Sequence, residues 1–330
     1  SSAGPQAAAE TQSNATVDHL ASARRALRLQ DWNSAADSSY KALLQDPDNA
    51  DATLIASQAE AARGNASAAV DLAASIDLRG RLGKRAAEIH TQQLLKLKRT
   101  SDAADVIVNA LVVMPSESEL RHQAWKLLTQ AGRREEASRQ AVALCREGRA
   151  TVAELLSLVR RNLSIPWDAN GVYDPSDHFD PGLGIARWHF TQQEFPAALD
   201  ELSPQSEGEF ESAAACALYG RLLAETQRFE EFASWHAQCE TQAEGLSDYW
   251  AALGVYFYDQ QQWDASTRAL LEAVYRDPTD RISYQRLSRV LHTLGESEQA
   301  QQFEYRGLKI GEAERLRDEL AQSPGDRVAI

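Results

Sequence analysis

An all-α chain of helical hairpins repeating every 34 residues is what this sequence predicts, and three observations lead there. Residues 247–280 carry Trp250, Leu253, Gly254 and Phe257 at helical spacing, then Trp263, Leu270, Ala273 and Pro278. Equivalent residues return at the same interval through most of the 330 residues. Strand-like alternation is scarce and no long apolar run interrupts the pattern, so neither a sheet nor a membrane span is expected.

The beat has two phases. In the first, 16–49 contains Trp32, Ala35, Ala42 and Pro47, and 50–83 contains Gly64 and Ala69. Residues 84–117 contribute Leu94, Ala103, Ala110 and Pro115, and 118–151 contribute Trp125, Leu128, Gly132 and Ala137. In the second phase, 179–212 has Ala186, Phe195, Ala198 and Leu202, and 213–246 has Tyr219, Gly220, Leu223 and Phe229. After 247–280, the segment 281–314 has Tyr284, Leu287, Leu291, Gly295 and Ala300. Apolar residues at three- and four-residue steps give each helix one buried stripe. Ala35, Ala69, Ala103, Ala137 and Ala198 stand where two helices must approach closely. Gly64, Gly132 and Gly295 suit a positive φ at the end of a first helix. Pro47, Pro115 and Pro278 stop the second helix.

The spacing W-x2-L-G-x2-aromatic, a turn, a small-residue helix and a closing proline resembles the tetratricopeptide repeat family. The resemblance covers about nine-tenths of the chain and implies a right-handed superhelical solenoid of about eight repeats, because a lone hairpin cannot bury its own stripe. It organises the chain as a disordered tail (1–15), a four-repeat array (16–151), a linker helix with an irregular loop (152–178), a second four-repeat array (179–314) and a C-terminal cap (315–330). The polar segment 311–323 is expected to close the stack, with Leu316 and Leu320 facing the last repeat. Because the chain starts at Ser1, a processed or trimmed N-terminus is expected. Localisation stays open between the cytoplasm and an exported, periplasmic site with its leader removed.

Mean hydropathy is −0.45 and the formal net charge is −14, which predicts a soluble protein. The charge is uneven: residues 1–150 are nearly neutral, and the acidic excess lies in the remainder. Nucleic acid is not an expected partner, since phosphate recognition needs clustered Lys and Arg. The three cysteines are too few for a disulfide scaffold. Cys216, early in one helix, and Cys239, late in the next, face each other in an antiparallel hairpin. They read either as small buried core residues or as a disulfide, which would point to an oxidising compartment. Residues 165–181 hold Asp168, Asp174, Asp177, His178 and Asp180 among Trp167, Tyr173, Phe179 and several prolines. That loop reads as a divalent-cation site or as a polar surface loop with aromatic anchors, and its spacing does not fit an EF-hand. No metal or cofactor is assigned to the chain.

In the family the first helices line the concave face, and the ninth residue of each repeat points into the groove. Here that column reads Arg24, Gln58, Gln92, Lys126, Arg187, Arg221, Val255 and Arg289, with no acidic member. Four places on, the first array adds Arg28 and Lys96, while the second turns acidic with Glu225 and Asp259. Tyr258 is the aromatic residue left over for the groove once Trp250, Phe257 and Trp263 are assigned to core places. Such a ladder of donors suits an extended or acidic peptide, with amides pairing to its backbone and cations to its carboxylates. The family's Lys–Asn clamp for a chaperone C-terminus is not matched, because the column has no Asn. P-loop, glycine-rich nucleotide and zinc-protease motifs are absent, so no enzyme is expected. The resemblance therefore implies a non-catalytic scaffold for a partner peptide or helix. The alternative is a structural assembly protein, of the cell envelope for instance, acting through its convex face or termini. The oligomeric state cannot be read from the sequence.

Overall fold

The computed structural model describes residues 19–159, 179–202, 210 and 212–322. The expected tail 1–15, and most of the linker loop with Asp168, Asp174, Asp177 and His178, lie outside the described residues. Helix α1 covers 19–28. It is followed by α2 (Trp32–Gln45), α3 (Ala50–Arg63), α4 (Ala66–Ala74), α5 (Gly83–Lys96), α6 (Thr100–Val113), α7 (Ser118–Gln130), α8 (Arg134–Arg146) and α9 (Val152–Ser157). Then come α10 (Leu183–Thr191), α11 (Phe195–Glu201), α12 (Ala213–Glu225), α13 (Phe229–Ala243), α14 (Ser247–Asp259), α15 (Trp263–Arg276), α16 (Arg281–Thr293) and α17 (Ser297–Gln322). Among the described residues there is no strand.

The repeat is written most plainly in the backbone. Gln30, Gly64, Lys98 and Gly132, then Gln193, Gln227, Gln261 and Gly295, all have positive φ between 56° and 87°. Each follows the first helix of a hairpin, and within each phase they stand one repeat apart. The next residue donates its N–H five residues back, as Arg99 does to Leu94 O and Arg228 to Leu223 O, both at 2.9 Å. This is the 6→1 bond of a Schellman ending, which satisfies a carbonyl the helix leaves open. Glycine was the visible signal at only three of the eight turns; glutamine or lysine holds the same conformation at the other five.

The small residues do what their positions imply. Ala35, Ala69, Ala103, Ala198 and Ala300 have no exposed surface, and Ala137 is 5 % exposed. At the corresponding place in α15, Ser266 donates from its hydroxyl to Gly254 O at 2.8 Å. The exception is α13, which has Phe232 there and Trp235 three residues on. The facing helix answers with Gly220, where an added Cβ would stand 1.9 Å from the Trp235 ring. Trp235 also donates its indole N–H to Cys216 O at 2.8 Å.

Two compact units emerge, Ser1–Leu127 and Leu128–Ile330. In the first, Ala23, Ala26, Ala35, Ala36, Ile55 and Ala59 pack α1, α2 and α3 together, and Leu54, Ala73, Ile76, Ala86 and Ile89 continue the core through α4 and α5. In the second, a large cluster runs from Leu183 through Phe190, Leu218, Phe232 and Tyr249 to Ala269. Leu270, Tyr284, Leu287 and Leu291 carry it to α17. The division into units falls inside α7, and most of the break between arrays expected at 152–178 lies outside the described residues. Within the second unit, α7 and α10 are in contact. Asp180 donates its N–H to Gln130 O at 3.2 Å. A Cβ on Gly184 would come within 2.5 Å of the same oxygen, so the end of α7 and the start of α10 are in close approach.

The C-terminal cap is the distal part of α17, not a separate helix. Where Pro47, Pro115 and Pro278 close their repeats, the equivalent place in the last repeat is Glu312, so nothing stops the helix. The inward residues also differ from expectation. Leu316 is 52 % exposed, while Glu314 and Arg317 are buried and Glu314 pairs with Arg281 at 3.2 Å. The side chain of Leu320 lies outside the described residues.

Candidate partner-binding face

The ninth-place column is used in opposite ways by the two units. In the first, Arg24, Gln92 and Lys126 are exposed and Gln58 is half-buried. Arg28 and Lys96, four places along, are exposed as well. Arg24 pairs with Asp51 at 3.3 Å. Arg28, Lys96 and Lys126 have no ionic partner among the described residues.

In the second unit, Arg187 and Arg221 are 2 % and 0 % exposed. Their guanidiniums are committed to the chain's own carboxylates and are not offered to a ligand. Asp248, in the first turn of α14, takes Arg221 Nη1 on Oδ1 at 2.8 Å and Arg187 Nη1 on Oδ2 at 2.7 Å. Arg134, from the start of α8, adds Nη2 to Oδ2 of the same aspartate at 3.0 Å and also donates to Ser247 Oγ at 2.6 Å. Arg221 Nη2 reaches Asp280 at 2.8 Å, and the guanidinium lies 4.8 Å from the Phe190 ring centroid. Asp280 in turn is the N-cap of α16 and accepts from Ser283 Oγ at 2.7 Å. Glu225 is held by Arg286 in a two-pronged pair, one contact being 2.7 Å. Arg289 and Tyr258 are exposed, with Tyr258 edge-on to Trp263 at 5.3 Å.

Burial by itself raises the Asp248 carboxyl, but Arg134, Arg187 and Arg221 outweigh it and hold it far below the usual carboxylate range. Asp280 is lowered in the same way, burial opposing and Arg221 winning. Burial and the charge of Arg134 pull Arg187 down, while for Arg134 and Arg221 the surrounding acids outweigh burial. Each ion is therefore charged because the others are, the condition under which buried charges are tolerated.

Asp248, Asp280 and Arg134 were not singled out from sequence. One signal was available: an aspartate 27 residues after a ninth-place arginine, which relates Arg221 to Asp248 and also Arg24 to Asp51. Beside the cluster, Arg139, Arg146 and Arg276 share the lining of a cleft of about 480 Å³ with Glu135 and Asp277.

Cys216 and Cys239 are both buried and paired as a disulfide, with their Cα atoms 6.3 Å apart. Cys145 is free. Among the described residues no group of His, Cys, Asp or Glu is arranged to hold a metal ion, and no helix is long and apolar enough to cross a membrane. In the described part of the former loop, Asp180 bonds through its backbone and Phe179 is buried.

These hairpins define an all-α helical-repeat protein whose 34-residue helix–turn–helix unit resembles that of tetratricopeptide repeats. Among solved structures, the chain is similar to a tetratricopeptide repeat protein from Parabacteroides merdae, with 11 % identity, a TM-score of 0.37, and coverage of 84 % of this chain and 99 % of that one. It is also similar to the APC/C hetero-tetramer Cut9–Hcn1, with 15 % identity, a TM-score of 0.34, and coverage of 93 % and 70 %. A third similar structure is Naa15/Naa10 bound to HypK-THB, with 13 % identity, a TM-score of 0.33, and coverage of 84 % and 39 %. No family model and no curated protein matches the chain. At these similarities the repeat assignment stands on the chain's own turns and hairpins.

Proposed function

We propose that the chain is a non-catalytic scaffold that holds an extended, acidic segment of a partner protein against the first helices of its N-terminal hairpins. The observation that supports this is the contrast within one column. Arg28, Lys96 and Lys126 are exposed and have no ionic partner among the described residues, in the same column as Gln58 and Gln92 or the one four places on, whereas Arg187 and Arg221 are neutralised internally. Cations left without partners on a face that has no acid in its ninth column are matched by carboxylates from outside. Arg24 joins this face by exchanging Asp51 for a ligand, and Arg289 and Tyr258 offer exposed contacts on the second unit. Capture of a partner by wild type and its loss from an Arg28→Glu, Lys96→Glu, Lys126→Glu variant of unchanged helicity is the expected result. Equal capture by both proteins would remove this face from consideration.

A second reading, assembly through the outer surface or the terminus, draws on α17, where Tyr305 and Leu308 are each 61 % exposed and Leu316 follows. Light scattering of wild type and a Tyr305→Ser, Leu308→Ser variant decides it: an assembly that dissociates in the variant favours this reading. The disulfide supports residence in an oxidising compartment, because a cytosolic thiol pool keeps cysteines reduced. Thiol alkylation before and after reduction, on protein from its native source, tests that placement.

A further inference from the structure

Asp248 shows what a carboxylate does on this scaffold. Its two oxygens receive Arg187 and Arg221, which are the ninth-place residues of two successive hairpins. Side chains one repeat apart thus converge on a single carboxylate. The first unit starts the same way, with Asp51 placed at the second position of α3 against Arg24. The place one repeat on from Asp51 is Arg85, the third residue of α5, so the chain supplies no carboxylate to Gln58 there, and an acid returns only with Glu119 at the second position of α7. Among the described residues Lys96 and Lys126 have no carboxylate in ion-pair contact.

We propose that the partner supplies the missing carboxylates in a fixed rhythm, as an extended segment with an acidic residue at every third position. This rests on the reading of the first unit as a peptide-binding face. The rhythm follows from geometry. Packed helices lie roughly 8–10 Å apart, and an extended chain advances roughly 3.3 Å per residue. One hairpin therefore corresponds to about three peptide residues, and each acidic side chain stands between donors of neighbouring hairpins, as Asp248 does between Arg187 and Arg221. The chain's overall negative charge does not oppose this at physiological salt, where charges beyond about 8 Å are screened and the local cations decide.

The test uses the full chain and two fluorescein-labelled twelve-residue peptides of identical Glu, Gly and Ser composition. One has Glu at every third position, and the other has its glutamates in one block. Fluorescence anisotropy is expected to show the spaced peptide binding about tenfold tighter. A Lys96→Ala, Lys126→Ala variant is expected to lose that advantage while keeping its circular dichroism. Equal affinity for the two peptides overturns the rhythm and leaves acidic-peptide binding standing. Failure of both peptides to bind overturns the underlying reading as well. An undiminished preference in the double variant places the site elsewhere and overturns the assignment to this face.

Discussion

Arg221 on α12 and Asp248 on α14 meet at 2.8 Å with both side chains fully buried, and the two residues stand 27 apart in sequence. The same interval separates the exposed pair Arg24–Asp51. One spacing thus yields a surface contact in one unit and a buried charge cluster in the other, and the energetic consequences differ accordingly.

Asp248→Ala leaves Arg134, Arg187 and Arg221 buried without their common partner. Removing one member of a buried ion pair costs about 3–5 kcal/mol. Hydrogen exchange is expected to show α10, α12 and α14 losing protection while α3 and α5 keep theirs. Arg24→Ala, at an exposed pair, is expected to shift stability by no more than about 1 kcal/mol.

The two units respond to acid differently. Asp248, Asp280 and Glu135 all have carboxyls lowered by their arginines, so the stability they contribute is present above the ordinary carboxylate range and is lost as pH falls through their folded values. The second unit is expected to hold through pH 4 and to give way in stronger acid. His90, half-buried in α5, is lowered from 6.5 by burial and by Arg99. Below pH 6.5 its unfolded state takes up the proton first, so the first unit loses stability as pH falls through that window. Urea melts at pH 7.5 and 5.5 are expected to show this loss, and a His90→Gln variant to flatten it.

Gly220 leaves room for Trp235, and a methyl group there would collide with the ring. Overpacking of this kind costs about 1–3 kcal/mol. Gly220→Ala is expected to lower the denaturant midpoint and to change the tryptophan emission, because the indole must leave its bond to Cys216 O. An unchanged midpoint would mean that the α12–α13 contact is softer than its geometry.

At Gln227 the φ of 58° places a side-chain residue in the left-handed region at the end of α12. Glycine removes that strain but adds freedom to the unfolded chain. The balance favours Gln227→Gly by roughly 0.5–1 kcal/mol, since the helix C′ position selects glycine. A thermal melt that falls instead of rising would show that the glutamine side chain makes a contact worth more than the strain.

The Cys216–Cys239 disulfide closes a loop of 23 residues. Cross-links of this size contribute about 3 kcal/mol by restricting the unfolded chain. A Cys216→Ala, Cys239→Ala variant is expected to unfold at lower denaturant than wild type, and wild type in reductant to approach it.

The sequence by itself determined the repeat. Ala at the close approaches, Gly at three turns and Pro after three second helices are local requirements, read from local spacing, and the 34-residue period of left-handed residues matches it in both phases. It also identified Cys216 and Cys239 as neighbours, because an antiparallel hairpin sets that pairing. Only the tertiary structure decided which arginines of the ninth column are buried. Arg187 and Arg221 look like Arg24 and Arg289 in sequence, since every one occupies the same place on a first helix. What separates them is the position of Asp248, Asp280 and Arg134, residues brought in from α14, α16 and α8. The continuation of α17 past the last repeat has a legible cause in Glu312, but which side of that helix turns inward does not. The inward face carries Glu314 and Arg317, not Leu316; Arg281 on the neighbouring helix supplies the charge that makes the burial of Glu314 tolerable, and such a partner is known only once the chain has folded.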